Sequence, residues 1–455
     1  MKFKSSLIFL PIFIIVSCSL PGIAHTIEDH SEATMQEEQT VPQAQSQSAN
    51  EPQTTQPAAA TDPPSGQALM PADLEYLGAF RLPDASGGSE WIYSGQGLAV
   101  NPDGDPQGPE DGFPGSLFGV GQDQQVEVSE IYIPVPVIAD NLADLHTAQT
   151  LQPFADISGG LMGENLELPV VGLEIMDGNL YFCYGQHFQD FEPSHGVSSL
   201  DLSHPNPQGP WMLEGISNYT SNDYLFSIPE DWAAAYTPGQ TLATGRFREG
   251  VWSGSGPALY AMDPHATGNI RVTTLLLYGI QQPGDSVLYT DETMQMDGYQ
   301  ESDHWSGGAW LTAGDRSAVV FAGTKATGRS WYGFANGVEW AYDCADTTPI
   351  TCPEVPEYPY DNRGYWAEAY QAQIIFYNPA DLAAVAQGSM DTWAPQPYAV
   401  LDLTHVLFDP QIDVTRYKRD LVGAMAFDRQ HNLLYLFERL ADEDKSIVHV
   451  WRVGS

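Results

Sequence analysis

A recurring two-strand phrase dominates residues 69–455 and limits the folds that this chain can adopt. Each copy has a start rich in small residues, an apolar strand, a polar turn and a second strand that ends near glycine. The four copies are YSGQGLAVNPDG with GSLFGVGQD (93–123), VVGLEIMDGNLYFCYGQ (170–186), WSGGAWLTAGDRSAVVFAGTK (305–325) and LVGAMAFDRQHNLLYLFER (421–439). A third strand follows three of them, at 128–134, 195–202 and 446–453.

Repeated antiparallel units of four strands are what the blades of a β-propeller require. Segments 254–264 and 372–382 look like the later strands of further units, which gives six recognisable units in all. We therefore predict an all-β fold, a β-propeller of six or seven four-stranded blades. Residues 74–83 would supply the strand that closes the ring with the C-terminal blade. A β-sandwich or two stacked β domains are the alternatives.

Helical patterns are sparse, and short helices are expected only in connections, at 229–236 and 379–388. With its repeated blade phrase, the region 69–455 resembles exported bacterial β-propeller proteins as a broad class. That resemblance implies the fold but no particular activity, because propellers carry lyases, lactonases, hydrolases and pure binding proteins.

The N-terminus MKFKSSLIFLPIFIIVSCSL has the pattern of an export signal. Lys2 and Lys4 precede an apolar core at 7–16 that is too short to span a bilayer as a mature helix. The tetrad Ile-Val-Ser-Cys at its end resembles the lipobox of bacterial lipoproteins, which implies that Cys18 is acylated. An ordinary cleaved signal with an incidental cysteine is the alternative. Ser19 follows instead of the aspartate that favours inner-membrane retention, so we expect an outer-membrane or cell-surface location.

These signals divide the chain into a signal peptide at 1–17, a tether at 18–68 and the propeller at 69–455. The tether is rich in Gln, Ser, Thr and Pro, a composition that cannot bury enough surface to order itself. The chain has 17 Lys plus Arg against 59 Asp plus Glu, a formal charge of -42. Such a surface repels nucleic acid, so the expected partners are the membrane, through the anchor, and an extracellular glycan or protein. We expect a monomer.

Three cysteines follow the lipidation site. Cys344 and Cys352 bracket a turn-rich loop in an exported chain, which predicts a disulfide rather than a metal site. Cys183 lies in a strand pattern and is expected to be a buried free thiol.

Basic residues are so rare that the segment TGRFREGVWSGSGP (244–257) stands out. We interpret it as an inner strand followed by a glycine-rich turn. Arg246 and Arg248 would then share one face, where two guanidinium groups could bind a carboxylate, sulfate or phosphate. The alternative is that both pair with carboxylates of the protein and brace neighbouring blades.

A second candidate group lies at 303–334, where Asp303 beside His304 could tune an imidazole for general-base catalysis. Cationic and aromatic residues that would suit a glycan cleft follow in the same region, namely Lys325, Arg329, Trp331 and Tyr332. Ordinary loop packing is the alternative.

Two further loops carry weaker signals. His187 is a candidate acid or base in a loop that matches no zinc signature. Asp103, Asp105 and Asp111 offer alternating oxygen ligands of the kind that Ca²⁺ accepts, although the spacing departs from an EF-hand and a solvated acidic loop is the alternative. Calcium is the one cofactor that the sequence suggests.

Two functions remain open at this level. The first is a surface lipoprotein whose propeller binds a glycan, a cation or a protein. The second is an extracellular polysaccharide lyase or hydrolase that uses His or Tyr as acid and base near an arginine cluster. We favour the first, because no candidate group has a defined catalytic spacing, and whether the protein is an enzyme is left open.

Overall fold

The chain enters the fold with strand β1 (Leu74–Arg81), which becomes the outer strand of the last blade. The computed structural model describes residues 68–454 without 106–107, 109–112, 163–168, 187–188, 342–343 and 345–351. The predicted signal peptide, Cys18 and all of the predicted tether except Ala68 lie outside the described residues.

Five sheets follow one another along the chain as the blades of a β-propeller. Blade 1 contains β2 (Leu98–Asn101), β3 (Ser116–Val120), β4 (Val128–Tyr132) and β5 (Thr150–Ala155). Blade 2 contains β6 (Val170–Met176), β7 (Asn179–Gly185), β8 (His195–Ser199) and β9 (Gln208–Leu213). Blade 3 contains β10 (Tyr224–Ser227), β11 (Leu242–Gly245), β12 (Leu259–Met262) and β14 (Val272–Leu276), while β13 (Asn269–Ile270) pairs in parallel with β9.

Blade 4 is the largest and contains β15 (His304–Ala313), β16 (Arg316–Phe334), β17 (Arg363–Tyr377) and β18 (Ala399–Asp402). Blade 5 contains β19 (Val422–Asp428), β20 (Leu433–Asp442), β21 (Lys445–Val453) and β1. The first strands of the blades touch in the cyclic order β2, β6, β10, β15, β19 and back to β2, so they are the inner strands around the central channel.

The propeller prediction is confirmed, but the predicted number of six or seven blades is wrong. Segments 305–325 and 372–382 were counted as separate units, yet both lie in blade 4, on β15–β16 and β17. An insertion at 335–362 separates β16 from β17, so the strands of one blade appear in the sequence as two separate units. Segment 254–264 contains β12, the third strand of blade 3, whose short inner strand β10 carries no glycine-rich phrase.

The ring closes as predicted, by pairing of the N-terminal strand β1 with β21. The Tyr76 hydroxyl lies 2.9 Å from Nδ1 of His449, and Nε2 of His449 lies 2.9 Å from Oε2 of Glu438. Arg81 donates two hydrogen bonds to Asp442, at 2.8 and 3.0 Å. Three strands of blade 5 are thus joined by side-chain hydrogen bonds as well as by backbone pairing.

Apolar side chains pack between neighbouring blades rather than in one central core. Trp310, Phe321 and Tyr377 of blade 4 pack against blade 3, and Leu311 and Leu434 lie between blades 4 and 5. Alternation along each strand sends successive side chains to the two neighbouring blades, so both faces of every sheet are apolar.

Two short α-helices occupy connections among the described residues, as predicted. Helix α1 (Glu230–Tyr236) joins β10 to β11, and α2 (Pro379–Ala386) joins β17 to β18. The Asn378 side chain caps α2 by accepting a bond from the backbone N–H of Ala380 at 3.0 Å. Single 3₁₀ turns occur at Pro71–Asp73, Leu142–Asp144 and Val414–Arg416. In the part of the chain described, none of the helices has the length and hydrophobicity needed to span a bilayer.

The predictions for the three cysteines of the propeller are confirmed. Cys344 and Cys352 form a disulfide within the insertion of blade 4, with their Cα atoms 5.4 Å apart. Cys183 is a buried free thiol on β7.

Inner-strand glycines let neighbouring blades approach each other through their backbones. A Cβ on Gly423 would overlap the carbonyl oxygen of Gly95, and a Cβ on Gly307 would lie 2.6 Å from the carbonyl oxygen of Gly423. We expect Gly423→Ala to destabilise the protein by about 3 kcal/mol, the upper end of the usual cost of overpacking, because backbone cannot rotate away as a side chain can. Chemical denaturation measures this loss, with Gly314→Ala as the control: that site has open space around it, and its φ of 62° costs only about 1 kcal/mol. Equal losses in the two variants would contradict the tight packing of the ring.

Candidate functional site

Ionisable side chains meet at the end of the channel where the inner strands begin. Asp223 directly precedes β10, His304 is the first residue of β15, and Asp420 lies two residues before β19. Inner strands of a propeller run in the same direction, so their first residues surround one opening. We call the group at this opening the central site, and it comprises Asp223, Arg246, Arg248, Glu249, His304, Arg419, Asp420 and Arg439.

The arginine segment reaches the central site from a second strand. Strand β11 runs antiparallel to β10 and ends at Gly245, whose carbonyl accepts a bond from the N–H of Asp223 at 2.9 Å. Arg246 and Arg248 follow directly, and Phe247 between them forms a bridge with Trp305 of blade 4. The segment was interpreted as an inner strand, whereas the arginines lie in the connection after β11. They reach the channel because second strands end where inner strands begin.

His304 is held by a carboxylate from the neighbouring blade. Its Nδ1 lies 2.5 Å from Oδ1 of Asp420, and Nη1 of Arg439 donates to the other oxygen of Asp420 at 3.2 Å. Burial alone would lower the pKa of His304, but Asp420, Glu249 and Asp223 outweigh it and raise this pKa above its usual value. The same pairing, with the nearby arginines, overcomes the effect of burial on Asp420 and holds the pKa of that carboxyl well below its usual range.

Glu249 lies between two guanidinium groups. Its Oε1 is 3.8 Å from Nη2 of Arg248 and 3.7 Å from Nη2 of Arg419. Burial would raise the pKa of Glu249, but Arg419 and Arg248 outweigh it and lower this pKa to about 2. Glu249 is therefore a fixed negative charge that orients both arginines.

A buried layer lies beneath these groups. The side chains of Arg246 and Asp223 are each 3 % exposed, and Nε of Arg246 is 3.7 Å from Oδ2 of Asp223. Arg246 also donates through Nη1 to the carbonyl of Asn218 at 3.2 Å and to Oδ1 of Asn222 at 3.4 Å. Burial raises the pKa of Asp223 and lowers that of Arg246, although their mutual attraction opposes both shifts.

Aromatic residues of blade 4 form a wall beside the central site. The long β16–β17 hairpin carries Trp366, and the guanidinium of Arg419 lies over its ring at 4.6 Å from the centroid. Tyr365 packs on Gly250, where an added Cβ would overlap its ring, and its ring contacts that of Tyr332 at a tilt of 55° with centroids 4.9 Å apart.

The central site concentrates positive charge in an acidic chain. It holds four of the 17 Lys and Arg residues, Arg246, Arg248, Arg419 and Arg439, together with a histidine whose pKa is raised. Three carboxylates face them, those of Asp223, Glu249 and Asp420. With His304 protonated, cations outnumber carboxylates among these eight residues, although the whole chain carries a formal charge of -42.

Only some of the residues predicted from sequence come together. Arg246, Arg248 and His304 lie in the central site. Asp303 faces away from His304: it is fully buried and binds the Lys325 ammonium at 2.8 Å and the backbone N–H of Ala326 at 2.9 Å.

The remaining candidates lie elsewhere. Arg329 and Trp331 lie on the β16–β17 hairpin, where Arg329 pairs with Glu339 and lies over the Trp331 ring at 5.3 Å. Tyr332 reaches the aromatic wall through Tyr365. His187 lies outside the described residues.

The structure adds no support for calcium binding at the acidic loop that carries Asp103, Asp105 and Asp111. Asp103 is exposed, Asp105 is buried, and Asp111 lies outside the described residues. Within the described ranges, no three His, Cys, Asp or Glu side chains are grouped as metal ligands would be. Calcium binding at this loop stays a prediction.

Sequence reasoning missed five members of the central site, namely Asp223, Glu249, Arg419, Asp420 and Arg439. One signal was present: the segment TRYKRD (415–420) is as unusually basic as the segment around Arg246. Asp223 and Arg439 carry no comparable local signal, because their significance depends on where blades 3 and 5 meet the channel.

Protonation of His304 gives a testable pH dependence. Because Asp420 raises the folded-state pKa above the unfolded value, the stability from this pair is fully present below the unfolded pKa. It is lost as the pH rises through the raised folded pKa. We expect imidazole NMR signals of His304, assigned by their absence in His304→Gln, to titrate above the usual histidine range near pH 6.5. Titration at or below that range would contradict the assignment.

Comparison with known proteins adds little to this picture. No family model matches the chain, and no curated protein matches it. One similar solved structure is the crystal structure of the Myceliophteria thermophila Cps50 (Swd1) β-propeller domain. The two are 10% identical with a TM-score of 0.23, over 84% of this chain and 99% of that one. The five-bladed arrangement therefore rests on the sheets described above, and the comparisons indicate no activity.

Proposed function

We propose that the central site binds an extracellular ligand that carries carboxylate or sulfate groups, and that the ligand is an acidic glycan. The observation that carries the proposal is the meeting of Arg248, Arg419, Arg439 and His304 at one channel opening. Arginine is suited to this role because its planar donors match the paired oxygens of a carboxylate or sulfate.

The arginines retain donors for a ligand. Among the described residues, Arg248 has one ion-pair contact for its guanidinium, to Glu249 at 3.8 Å, which is longer than a hydrogen bond. The Arg419 guanidinium lies over the Trp366 ring, donates a 3.4 Å bond to the carbonyl of Tyr365 and is 3.7 Å from Glu249. Their side chains are 20 % and 33 % exposed, so both groups are oriented and still accessible.

The aromatic wall favours a glycan over a small inorganic anion. The half-buried rings of Tyr365 and Tyr332 lie beside the cations, and the apolar faces of sugar rings stack on such aromatic surfaces. The strongly negative remainder of the protein would repel a polyanion elsewhere, so binding would be confined to this opening.

Binding to a polysaccharide panel tests the proposal. The full-length protein, purified in detergent, is expected to bind uronate-containing or sulfated polysaccharides and to ignore neutral ones of the same length. Its affinity for them should fall as salt rises, because the contact is ionic. Binding of neutral glycans alone, or of no acidic glycan, would refute it.

A lyase or hydrolase acting on the same ligand is the second candidate. His304 supports it, because an imidazole oriented by a carboxylate is a common acid or base in enzymes. Incubation of the protein with each bound polysaccharide separates the two functions. New unsaturated or reducing ends that disappear in His304→Gln would establish an enzyme, whereas intact polymer would leave a binding protein.

We also propose, from the sequence alone, that the mature protein is a lipoprotein anchored at the cell surface through Cys18. We expect Cys18→Ser to abolish incorporation of labelled palmitate and to move the protein from the membrane fraction to the soluble fraction. Cys183→Ser, which alters a buried thiol, is the control and should stay with the membrane. A Cys18→Ser protein that remained lipid-labelled would contradict the anchor.

A further inference from the structure

The layer beneath the central site contains polar atoms that lack partners. Within the described residues, no hydrogen bond reaches either carboxylate oxygen of Asp223, Nε of Arg246, or the side-chain amide nitrogens of Asn218 and Asn222. All four residues are buried, with 5 % exposure or less. The contact between Asp223 and Arg246, 3.7 Å, is an ion pair and is too long for a hydrogen bond.

Unpaired buried polar groups destabilise the folded protein, so their presence here requires an explanation. Buried polar groups in proteins are almost always hydrogen-bonded, and a desolvated carboxylate without donors is among the most unfavourable of them. An apolar residue at position 223 would lose no side-chain hydrogen bond, because the Asp223 carboxylate makes none within the described residues. The exceptions to satisfied burial in native proteins concentrate at functional groups.

Asp223 lines a small cavity among the inner strands. The cavity is about 10 Å³ and is bordered by inner-strand residues of blades 1, 2, 3 and 5, including Gly97, Gly172 and Ala424. This volume is close to the smallest that holds one water-sized group. The cavity is lined by residues at or near the start of four inner strands, and the Asp223 carboxylate interacts electrostatically with His304.

We propose that Asp223 binds a hydroxyl group of the ligand, and that the ligand of the central site is therefore a polyhydroxylated acid, such as a uronate or a sulfated sugar. The inference rests on the proposed function. A carboxylate needs a donor, and the acid group of the ligand has none to give. The cavity has room for about one non-hydrogen atom, so the donor is either a hydroxyl of the ligand or a single buried water. The experiment below separates the two, because a buried water would leave affinities equal within each pair of ligands.

Neighbouring groups distinguish a hydroxyl from a ligand ammonium. Arg246 already balances the charge of Asp223 at 3.7 Å, so a second cation would meet repulsion from the guanidinium. A hydroxyl can also accept a bond, and the unpaired Nε of Arg246 lies 3.7 Å from the same carboxylate. The buried layer thus offers both an acceptor and donors, which is the combination that a sugar hydroxyl satisfies.

Matched ligands test the proposal on the unaltered protein. We would measure calorimetric affinities of the full-length protein for glucuronate and for cyclohexanecarboxylate, which has the same charge and ring size but no hydroxyls. A sulfated pair, glucose 6-sulfate and cyclohexylmethyl sulfate, forms a second arm that separates carboxylate from sulfate ligands. We expect the hydroxylated member of at least one pair to bind about 10- to 100-fold more tightly, as a hydrogen bond to a buried charge would give.

A variant assigns that preference to the side chain. Asp223→Asn keeps the shape of the side chain but removes its charge, and it should reduce the preference to less than about threefold. Asp201→Asn, at an exposed turn, is the control and should leave the preference unchanged. If Asp223→Asn does not fold, single-deoxy glucuronates on the unaltered protein replace it, and one of them should lose most of the preference.

The outcomes are distinct. Equal affinity within both pairs would overturn the hydroxyl role of Asp223 and leave the acidic-ligand proposal standing. A preference that persists in Asp223→Asn, or that no single-deoxy compound removes, would also overturn it. Failure of all four compounds and of every acidic polysaccharide would refute the proposed function and this inference together.

Discussion

The double variant Arg248→Gln/Arg419→Gln is expected to lose acidic-glycan binding by about 100-fold or more. Each arginine offers charge-assisted hydrogen bonds to the ligand, and each such bond contributes about 1.5–3 kcal/mol. Glutamine keeps a polar side chain but removes the charge and the forked geometry. Titration of the bound polysaccharide against each purified variant measures the loss.

A matched control removes the same charge elsewhere. Arg271 is 89 % exposed beside Glu214, and Arg452 is 48 % exposed beside Glu75, so both lie outside the central site. Arg271→Gln/Arg452→Gln should keep its affinity within about threefold, since exposed charges act only through screened long-range attraction. If both double variants lose the same affinity while remaining folded, the attraction is a property of the whole surface and the central site is not the binding site.

Glu438→Ala is expected to reduce the free energy of unfolding by about 3–5 kcal/mol, because three buried or partly buried groups would lose their acceptor at a cost of about 1–3 kcal/mol each. Glu438 and His449 are fully buried and lie 2.9 Å apart. Glu438 also accepts backbone bonds from Phe408 at 2.9 Å and Asp409 at 2.7 Å. Removing its carboxylate leaves two backbone donors and an imidazole without an acceptor in the blade that closes the ring.

Chemical denaturation measures this loss, with Glu75→Ala as the matched control. Glu75 lies on β1 of the same blade but is half exposed, and it pairs with Arg452 at 3.5 Å. Surface pairs of this kind contribute about 0–1 kcal/mol. A loss in Glu438→Ala no larger than in Glu75→Ala would show that the buried network does not stabilise the closure.

The fold was largely predictable because a blade is a local structure. Each glycine-rich phrase folds into two strands adjacent in sequence, so its pattern can be recognised without knowing its neighbours. The closing strand β1 could be identified because a strand pattern at 74–83 precedes the first blade. The number of blades could not be predicted, because the insertion at 335–362 separates the two strands of a single hairpin in the sequence. In the structure these two strands pair over most of their length.

The central site was predictable only where its members are unusual in sequence. Arg246 and Arg248 stood out because this chain uses so few basic residues. His304 was identified through the adjacent Asp303, but adjacent residues of an extended segment point to opposite sides. Its actual partner is Asp420, 116 residues further along the chain, which depends on the packing of blade 4 against blade 5. Contacts of that kind have no local pattern.

The pairing of opposite charges explains how an arginine cluster can remain ordered before a ligand binds. Glu249 and Asp420 hold three guanidinium groups and one imidazole in fixed positions. Preorganised donors do not have to give up conformational entropy on binding, which favours affinity and selectivity. The carboxylates are therefore part of the proposed recognition, and they do not compete with it.

A crystal structure of the protein with the tightest-binding acidic oligosaccharide tests the central claim most directly. We predict that a carboxylate or sulfate group of the ligand lies within hydrogen-bond distance of Arg248 and Arg419, with a sugar ring beside Tyr365. An oligosaccharide bound at the outer blade edges, with the central site unchanged, would contradict the account.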